Sequence, residues 1–355
     1  MALEVSIHKQ LKDFSLDVEF STDNGSLGIL GASGCGKSMT LKCIAGIEKP
    51  DSGYIRLNGQ TLFDSKARIN LPPRKRNVGY LFQNYALFPT MTVRENIGIS
   101  VSGPDKKDKV DTFLKRFQLE KLEKRYPSEL SGGEQQRTAL ARMMIRSPKL
   151  LMFDEPFSAL DAWLKDQLLR QFSNLFSEYT GDILIVSHNR DEIYQLSQRL
   201  AIMGNGTFIT TGTTEDVFKN PRTVGGARLT GCKNISSVHK VDAHHYEAVD
   251  WGLTLYVEKP PLINPESVGI RAHDLIVRKE TKGTQAAPNT FCLRCAEHME
   301  TPFEDIFLLT SDPSSAQPLW WKRAKTSAQE ETYPTDTSYS VTLPEADLIW
   351  LEDRL

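Results

Sequence analysis

Two rhythms of apolar and polar positions divide this chain. Up to about residue 220, short apolar runs alternate with helix-length amphipathic stretches, the pattern of an α/β domain with a mainly parallel sheet. Ser26–Leu30, Lys149–Phe153 and Asp182–Val186 are apolar runs bounded by polar residues. Each is too short to stand as a helix, so each predicts a buried strand. Lys106–Gln118 and Gly133–Ile145 have helical spacing and good helix formers, and the run from Lys37 to Gly46 predicts a further helix. The first 25 residues alternate instead: Leu3, Val5 and Ile7, then Leu16, Val18 and Phe20, suit an antiparallel edge sheet.

From Asn220 to Gly231 the sequence turns to glycine, threonine and proline, which predicts a linker. Beyond it, runs such as Leu253–Val257 and Val268–Arg271 are separated by Pro, Gly, Asn and Asp turns, so the tail predicts a small β domain or a pair of β modules. One weak internal echo favours a pair: His273–Val277 and Ala346–Trp350 share an Asp-Leu-Ile core. The expected domains are 1–225 and 226–355.

Composition narrows the class. A chain of 355 residues accommodates two cores, and 39% hydrophobic with 25% charged residues is ordinary for a globular protein. A formal net charge of −2 provides no global field for nucleic acid. No apolar run reaches the ~18 residues of a membrane span, and Met1–Val5 lacks the basic start of a signal peptide. Five scattered cysteines make no disulfide framework, so the expectation is a reduced, cytosolic chain.

The chemistry begins where the first buried strand meets a glycine-rich loop. Gly31, Ala32, Ser33, Gly34, Cys35, Gly36, Lys37 and Ser38 fit G-x-x-x-x-G-K-[ST] in full, between a strand and a helix. Glycines let successive N–H groups turn toward phosphate oxygens, and the helix N-terminus adds positive potential. Lys37 is then placed for the β and γ phosphates of ATP and the Ser38 hydroxyl for Mg²⁺. Downstream, Leu150–Phe153 is an apolar run ending in Asp154 and Glu155. Alone that pattern is a solvated acidic turn. Following a phosphate loop, it suggests a metal-shell carboxylate (Asp154) and a base for the attacking water (Glu155). Ser131, Gly132 and Gly133 open a predicted helix, with Glu134 in its first turn, and so offer a second phosphate-facing helix start.

Leu130-Ser-Gly-Gly-Glu-Gln-Gln-Arg137 resembles the signature sequence of ABC ATPases. The resemblance implies further roles in chain order. Gln83 resembles the Q-loop glutamine, near Mg²⁺ or the attacking water; Asp161, in Ser158-Ala-Leu-Asp161, resembles the D-loop aspartate; His188 resembles the switch histidine on the γ-phosphate. It also implies an adenine-stacking aromatic, for which Phe14 is the candidate and His8 a poorer one. A helical subdomain is implied over about 84–147. Leu71–Arg76, Phe82–Pro89 and Thr92–Ile97 are similar to the ATPases of binding-protein-dependent importers, in which the segment after the glutamine receives a helix of the membrane subunit. Tyr85–Met91 is the expected docking stretch, and Arg74–Arg76 reads as a solvated basic face. Gly231–Ser236 and Val268–Asp274 look most like the molybdate and sulfate/tungstate branch, with an OB-like or TOBE-like β tail whose role is regulatory or dimerising. Cys292-x-x-Cys295 with His298 invites a zinc reading, but no second cysteine pair follows, so paired core cysteines are the expectation.

The resemblance implies a mechanism. Two copies facing head to tail sandwich ATP between the glycine loop of one and Ser131–Gly133 of the other. Permease subunits and an extracytoplasmic solute-binding protein are the implied partners, at the cytoplasmic face of the membrane, without nucleic acid. Molybdate is the favoured cargo, with sulfate, tungstate, polyamine, iron or sugar as alternatives. A soluble ABC ATPase of DNA repair or translation would more often carry two motif sets or a long coiled coil, and an exporter ATPase would more often lack the β tail.

Overall fold

A computed structural model of the chain describes residues 3–158, 162–279, 287–312, 317–325 and 333–352. It divides into two compact units, Met1–Glu215 and Asp216–Leu355.

The first unit opens as its alternation predicts. β1 (Leu3–Gln10) and β2 (Ser15–Thr22) pair antiparallel, Val5 opposite Phe20 and Ile7 opposite Val18. β3 (Ser26–Gly31) is buried throughout and runs into the glycine loop and α1 (Lys37–Ala45). β4 (Ser52–Leu57), β5 (Gln60–Asp64) and β6 (Ile69–Asn70) complete a five-stranded sheet in the order β2-β1-β4-β5-β6. β7 (Val78–Leu81) is followed by α2 (Val93–Gly98), α3 (Lys106–Arg116) and α4 (Gly132–Met144). β8 (Leu150–Asp154), α5 (Ala162–Glu178), β9 (Asp182–Ser187), α6 (Arg190–Leu196), β10 (Arg199–Gly204), β11 (Thr207–Thr213) and α7 (Thr214–Lys219) follow. The second sheet has the order β11-β10-β3-β9-β8-β7, parallel except at β11. The two sheets share one core, in which Leu3 and Ile55 join Ile29, Met152 and Leu184. Strands buried on both faces need continuous apolar runs, which is why three of them read so clearly in the sequence.

Arg76 corrects the reading of Arg74–Arg76 as a solvated face. It is fully buried. Its guanidinium donates to the carbonyls of Leu71 (2.7 Å), Cys43 (2.9 Å) and Ile44 (2.8 Å), and to Asn70 Oδ1 (2.8 Å). The last carbonyls of α1 have no partner within the helix, and a cation there also meets the negative end of the dipole. Gly46 closes α1 at φ 79°, and a Cβ there would collide with the Arg76 guanidinium. Arg76→Met is expected to lower unfolding stability by about 3 kcal/mol or more, because three buried carbonyls lose charged donors. Urea denaturation checks this; an unshifted midpoint contradicts the capping role.

The second unit departs from expectation at its start. The segment read as a linker contains α8 (Val224–Leu229), capped by Thr223 Oγ1, which accepts from the Gly226 N–H at 3.1 Å. Among the described residues ten strands then follow, in two five-stranded sheets. β12 (Asn234–Lys240), β13 (His245–Ala248), β14 (Leu253–Tyr256), β15 (Ser267–Ile270) and, from the far end of the sequence, β21 (Ile349–Leu351) form the first, ordered β14-β13-β12-β15-β21. β16 (Ile276–Lys279), β17 (Thr290–Glu300), β18 (Glu304–Thr310), β19 (Leu319–Ala324) and β20 (Ser338–Thr342) form the second, ordered β16-β20-β17-β18-β19. The Asp-Leu-Ile echo has a structural counterpart. Asp274 and Asp347 each close a turn through their N–H, Leu275 and Leu348 enter one shared core, and the following isoleucines open β16 and β21.

The paired-core-cysteine expectation fails for a geometric reason. Residues three apart on a strand point to opposite faces. Cys295 is accordingly buried and Cys292 exposed. His298 stacks on Phe307 at 4.4 Å and meets Asp305 Oδ1 at 3.1 Å. Among the described residues no group of three or more His, Cys, Asp or Glu side chains could hold a metal ion.

Candidate functional site

Four parallel neighbours, β3, β9, β8 and β7, end on the same side of the sheet, where open α/β sheets bind ligands. Their C-terminal ends deliver the glycine loop, His188, Asp154 with Glu155, and Gln83 respectively.

The loop takes the form that glycine permits. Gly34 and Gly36 have φ of 82° and 111°, in the left-handed region that side chains resist. A Cβ on Gly36 would also meet Leu16 Cδ1 at 2.9 Å and Phe14 Cε2 at 3.4 Å. Phe14 thus lies beside the start of α1, half-buried in the turn between β1 and β2. His8 lies 3.6 Å from Asp17 across the β1–β2 pair. Lys37 is buried, and its amine donates to the Gly31 and Ala32 carbonyls, both at 2.9 Å. Cys35 is buried too, and burial pushes its thiol pKa up despite the Lys37 charge.

The carboxylates stand beside this loop. Ser38 Oγ donates to Asp154 Oδ1 at 2.7 Å, and the Tyr80 hydroxyl donates to Asp154 Oδ2 at 2.7 Å. Burial and the Asp154 charge push the Tyr80 hydroxyl far above its ordinary range, so it stays a donor. Glu155 sits at φ 47°, a conformation that costs a non-glycine residue about 1–3 kcal/mol and clusters at functional sites. Its Oε2 lies 3.1 Å from His188 Nδ1, and its Oε1 lies 4.0 Å from the Lys37 amine. Gln83 Nε2 donates to Ser158 Oγ at 3.2 Å, and Ser158 Oγ donates in turn to the Glu155 carbonyl at 3.1 Å. The glycine loop, Gln83, Asp154, Glu155 and His188 therefore meet in two small hydrogen-bonded groups, bridged by the 4.0 Å ion pair of Lys37 with Glu155.

Ser131–Gly133 stand differently. Ser131 is exposed and caps α4 in a capping box with Glu134, whose carboxylate accepts from the Ser131 N–H at 2.7 Å and is held below its usual pKa by that bond. Among the described residues no hydrogen bond joins Ser131–Gly133 to the glycine loop. The helix they open does reach the Glu155 turn, because fully buried Gln136 donates from Nε2 to the Pro156 carbonyl at 3.2 Å. Asp161 lies outside the described residues.

The stretch after Gln83 is a strained loop held from below. Tyr85 and Ala86 have φ of 58° and 42°. Arg142 of α4 donates to both their carbonyls, and fully buried Asn96 bonds the N–H and carbonyl of Phe88. Tyr85 faces inward, whereas Phe88 is 43% exposed. Tyr80, Gln136 and Arg142 were not singled out by sequence reasoning; only Gln136 carried a signal, its place within the signature motif.

Known proteins resemble this chain in sequence and fold. The family profile described as ABC transporter matches residues 11–158. The spermidine/putrescine import ATP-binding protein of Acetivibrio thermocellus is 37% identical over 270 residues, covering 73% of this chain and 74% of that protein. The molybdenum import ATP-binding protein of Paramagnetospirillum magneticum is 36% identical over 232 residues, covering 64% and 63%. Among solved structures, a dimeric ATP-binding cassette in a post-hydrolysis state with ADP and phosphate superposes with a TM-score of 0.51 at 23% identity, covering 60% of this chain and 99% of that one. Fold and loop together define an ATPase of the ATP-binding-cassette class. The chain belongs to the ABC transporter family, among its import ATP-binding proteins.

Proposed function

We propose that this chain is the energy-coupling ATPase of a binding-protein-dependent importer, acting as a homodimer with two ATP molecules in its interface. The observation that carries the reading is the meeting of Lys37, Ser38, Asp154, Glu155 and His188 at the ends of adjacent strands. The N–H groups of Gly34–Ser38 receive the β and γ phosphates, and the Lys37 amine turns from its own loop carbonyls to phosphate oxygens. Phe14, beside Gly36, stacks on the adenine.

The donor set fits Mg²⁺. Ser38 Oγ and an Asp154 oxygen, both hard donors, lie 2.7 Å apart beside the loop, with Gln83 just beyond β7, the strand next to that of Asp154. Once bound, the ion supplies charge neutralisation at the phosphate oxygens. Glu155 orients the attacking water and accepts its proton, and His188, 3.1 Å away, holds that carboxylate and reaches the γ-phosphate. Ser131–Gly133 of a second copy close the site, a reading supported by the absence, among the described residues, of any hydrogen bond from them to this chain's own loop.

Phe88, exposed on a loop fixed by Arg142 and Asn96, supports docking of a permease helix just after Gln83. No helix among the described residues is long and apolar enough to cross a membrane. Peripheral attachment at the cytoplasmic face, through the permease, follows from that docking. Nucleic acid has no part in this reading.

Molybdate is the proposed cargo, resting on the likeness of Gly231–Ser236 and Val268–Asp274 to that branch. The tail's proposed role is structural, in helping to hold two copies together once ATP has closed the pair. Arg271, the cation of Val268–Asp274, directs two of its five N–H donors to the Thr230 and Phe218 carbonyls, a structural use that fits this role. Reconstitution with permease and solute-binding protein is the test: molybdate should stimulate ATP hydrolysis. Stimulation by spermidine alone sinks the cargo assignment, and a partner set of only ribosomal or DNA-bound proteins sinks the importer reading.

A further inference from the structure

We propose that Tyr80 is a positioning residue for the metal-shell carboxylate, orienting Asp154 so that one oxygen faces Ser38 and the bound Mg²⁺. This rests on the reading of Asp154 given above and extends it to a side chain on a different strand.

The geometry is specific. Tyr80 stands opposite Met152 in the β7–β8 register, and Asp154 lies two residues beyond Met152, hence on the same face of the sheet. The phenol therefore reaches across one strand spacing to Oδ2 at 2.7 Å, while Ser38 takes Oδ1 at 2.7 Å. A carboxylate's terminal torsion is broad and roughly two-fold, so without a second partner the plane of Asp154 is free to turn. The ring itself is held by Phe82, with centroids 4.4 Å apart. Asp154 is 7% exposed, so water is a poor substitute for the phenol. Outer partners of this kind set both the direction and the basicity of a metal-binding carboxylate. Tyr80 also precedes Gln83 by three residues, on the strand that ends at Leu81 and leads into it, so the strand that delivers the glutamine also sets the carboxylate.

A merely structural tyrosine, anchoring edge strand β7, would leave Mg²⁺ binding alone, and this separates the two roles. The measurement is calorimetric titration of the full-length chain with ADP, in EDTA and at a series of Mg²⁺ concentrations. Tyr80→Phe is expected to leave metal-free ADP affinity within about twofold of the parent, and to raise the Mg²⁺ concentration for half-maximal tightening by about tenfold. In an Asp154→Asn background, which should lack the Mg²⁺ effect, adding Tyr80→Phe should change ADP affinity by less than about twofold, because the two residues act as one unit. Tyr80→Met repeats the titration should the phenylalanine variant fold poorly. An unchanged Mg²⁺ requirement in a folded Tyr80 variant, with Asp154→Asn having lost the effect, overturns this inference alone. A Mg²⁺ effect that survives Asp154→Asn overturns the reading of Asp154 and this inference with it.

Discussion

Glu155→Gln is expected to slow ATP hydrolysis by at least about a hundredfold while ATP binds as tightly as before. The two halves of that expectation come from different parts of the site. Glutamine keeps the size of the side chain and can still bond His188, so the strained turn at φ 47° and the phosphate loop are undisturbed. What it loses is the ability to accept a proton from water, and that loss acts only on the reacting state. Removing the negative charge 4.0 Å from the Lys37 amine also leaves that amine freer for phosphate, so affinity should hold or rise slightly. Single-turnover hydrolysis beside equilibrium ATP binding checks both halves. Turnover within a few fold of the parent means that another group is the base.

Lys37→Ala is expected to act on the other half of the site and weaken ATP binding by roughly a hundredfold, about 2.7 kcal/mol. The amine is buried and donates to the carbonyls of Gly31 and Ala32, so it is already gathered at the loop rather than drawn in from solvent. A charge-assisted bond to phosphate in such a setting lies at the strong end of hydrogen-bond energies. The loop backbone survives the change, since its turns depend on Gly34 and Gly36, and residual weak binding through N–H groups should remain. Calorimetric titration with ATP reads this directly; an affinity equal to the parent's would contradict the phosphate cradle.

Most of the site was legible because each part sits where a buried strand ends. β3, β8 and β9 are nearly unbroken apolar runs, and the residues that follow them, Gly31 to Ser38, Asp154 with Glu155, and His188, are polar for chemical reasons. Motif spacing carried those. It did not carry Arg76 or Tyr80, whose roles depend on partners distant in sequence: Cys43 and Ile44 for one, Asp154 for the other. A basic run looks the same whether it faces water or caps a helix. α8 was hidden by Gly225 and Gly226, poor helix formers tolerated here because Thr223 caps the helix and Ala227 is buried. The cysteine pair was misjudged for want of the strand's two-fold alternation, which puts Cys292 outside and Cys295 inside. The β tail was readable as strands, yet not as two sheets, because β15 finds its neighbour β21 only at the end of the described chain.

Completion of the ATP site by Ser131–Gly133 of a second copy can be read from the mass of the Glu155→Gln chain. By light scattering, that 40.0 kDa chain should double in mass when ATP and Mg²⁺ are added. With Ser131→Arg introduced as well, the chain should bind ATP through its own loop yet remain a monomer. A double variant that still doubles in mass with ATP would contradict the shared site.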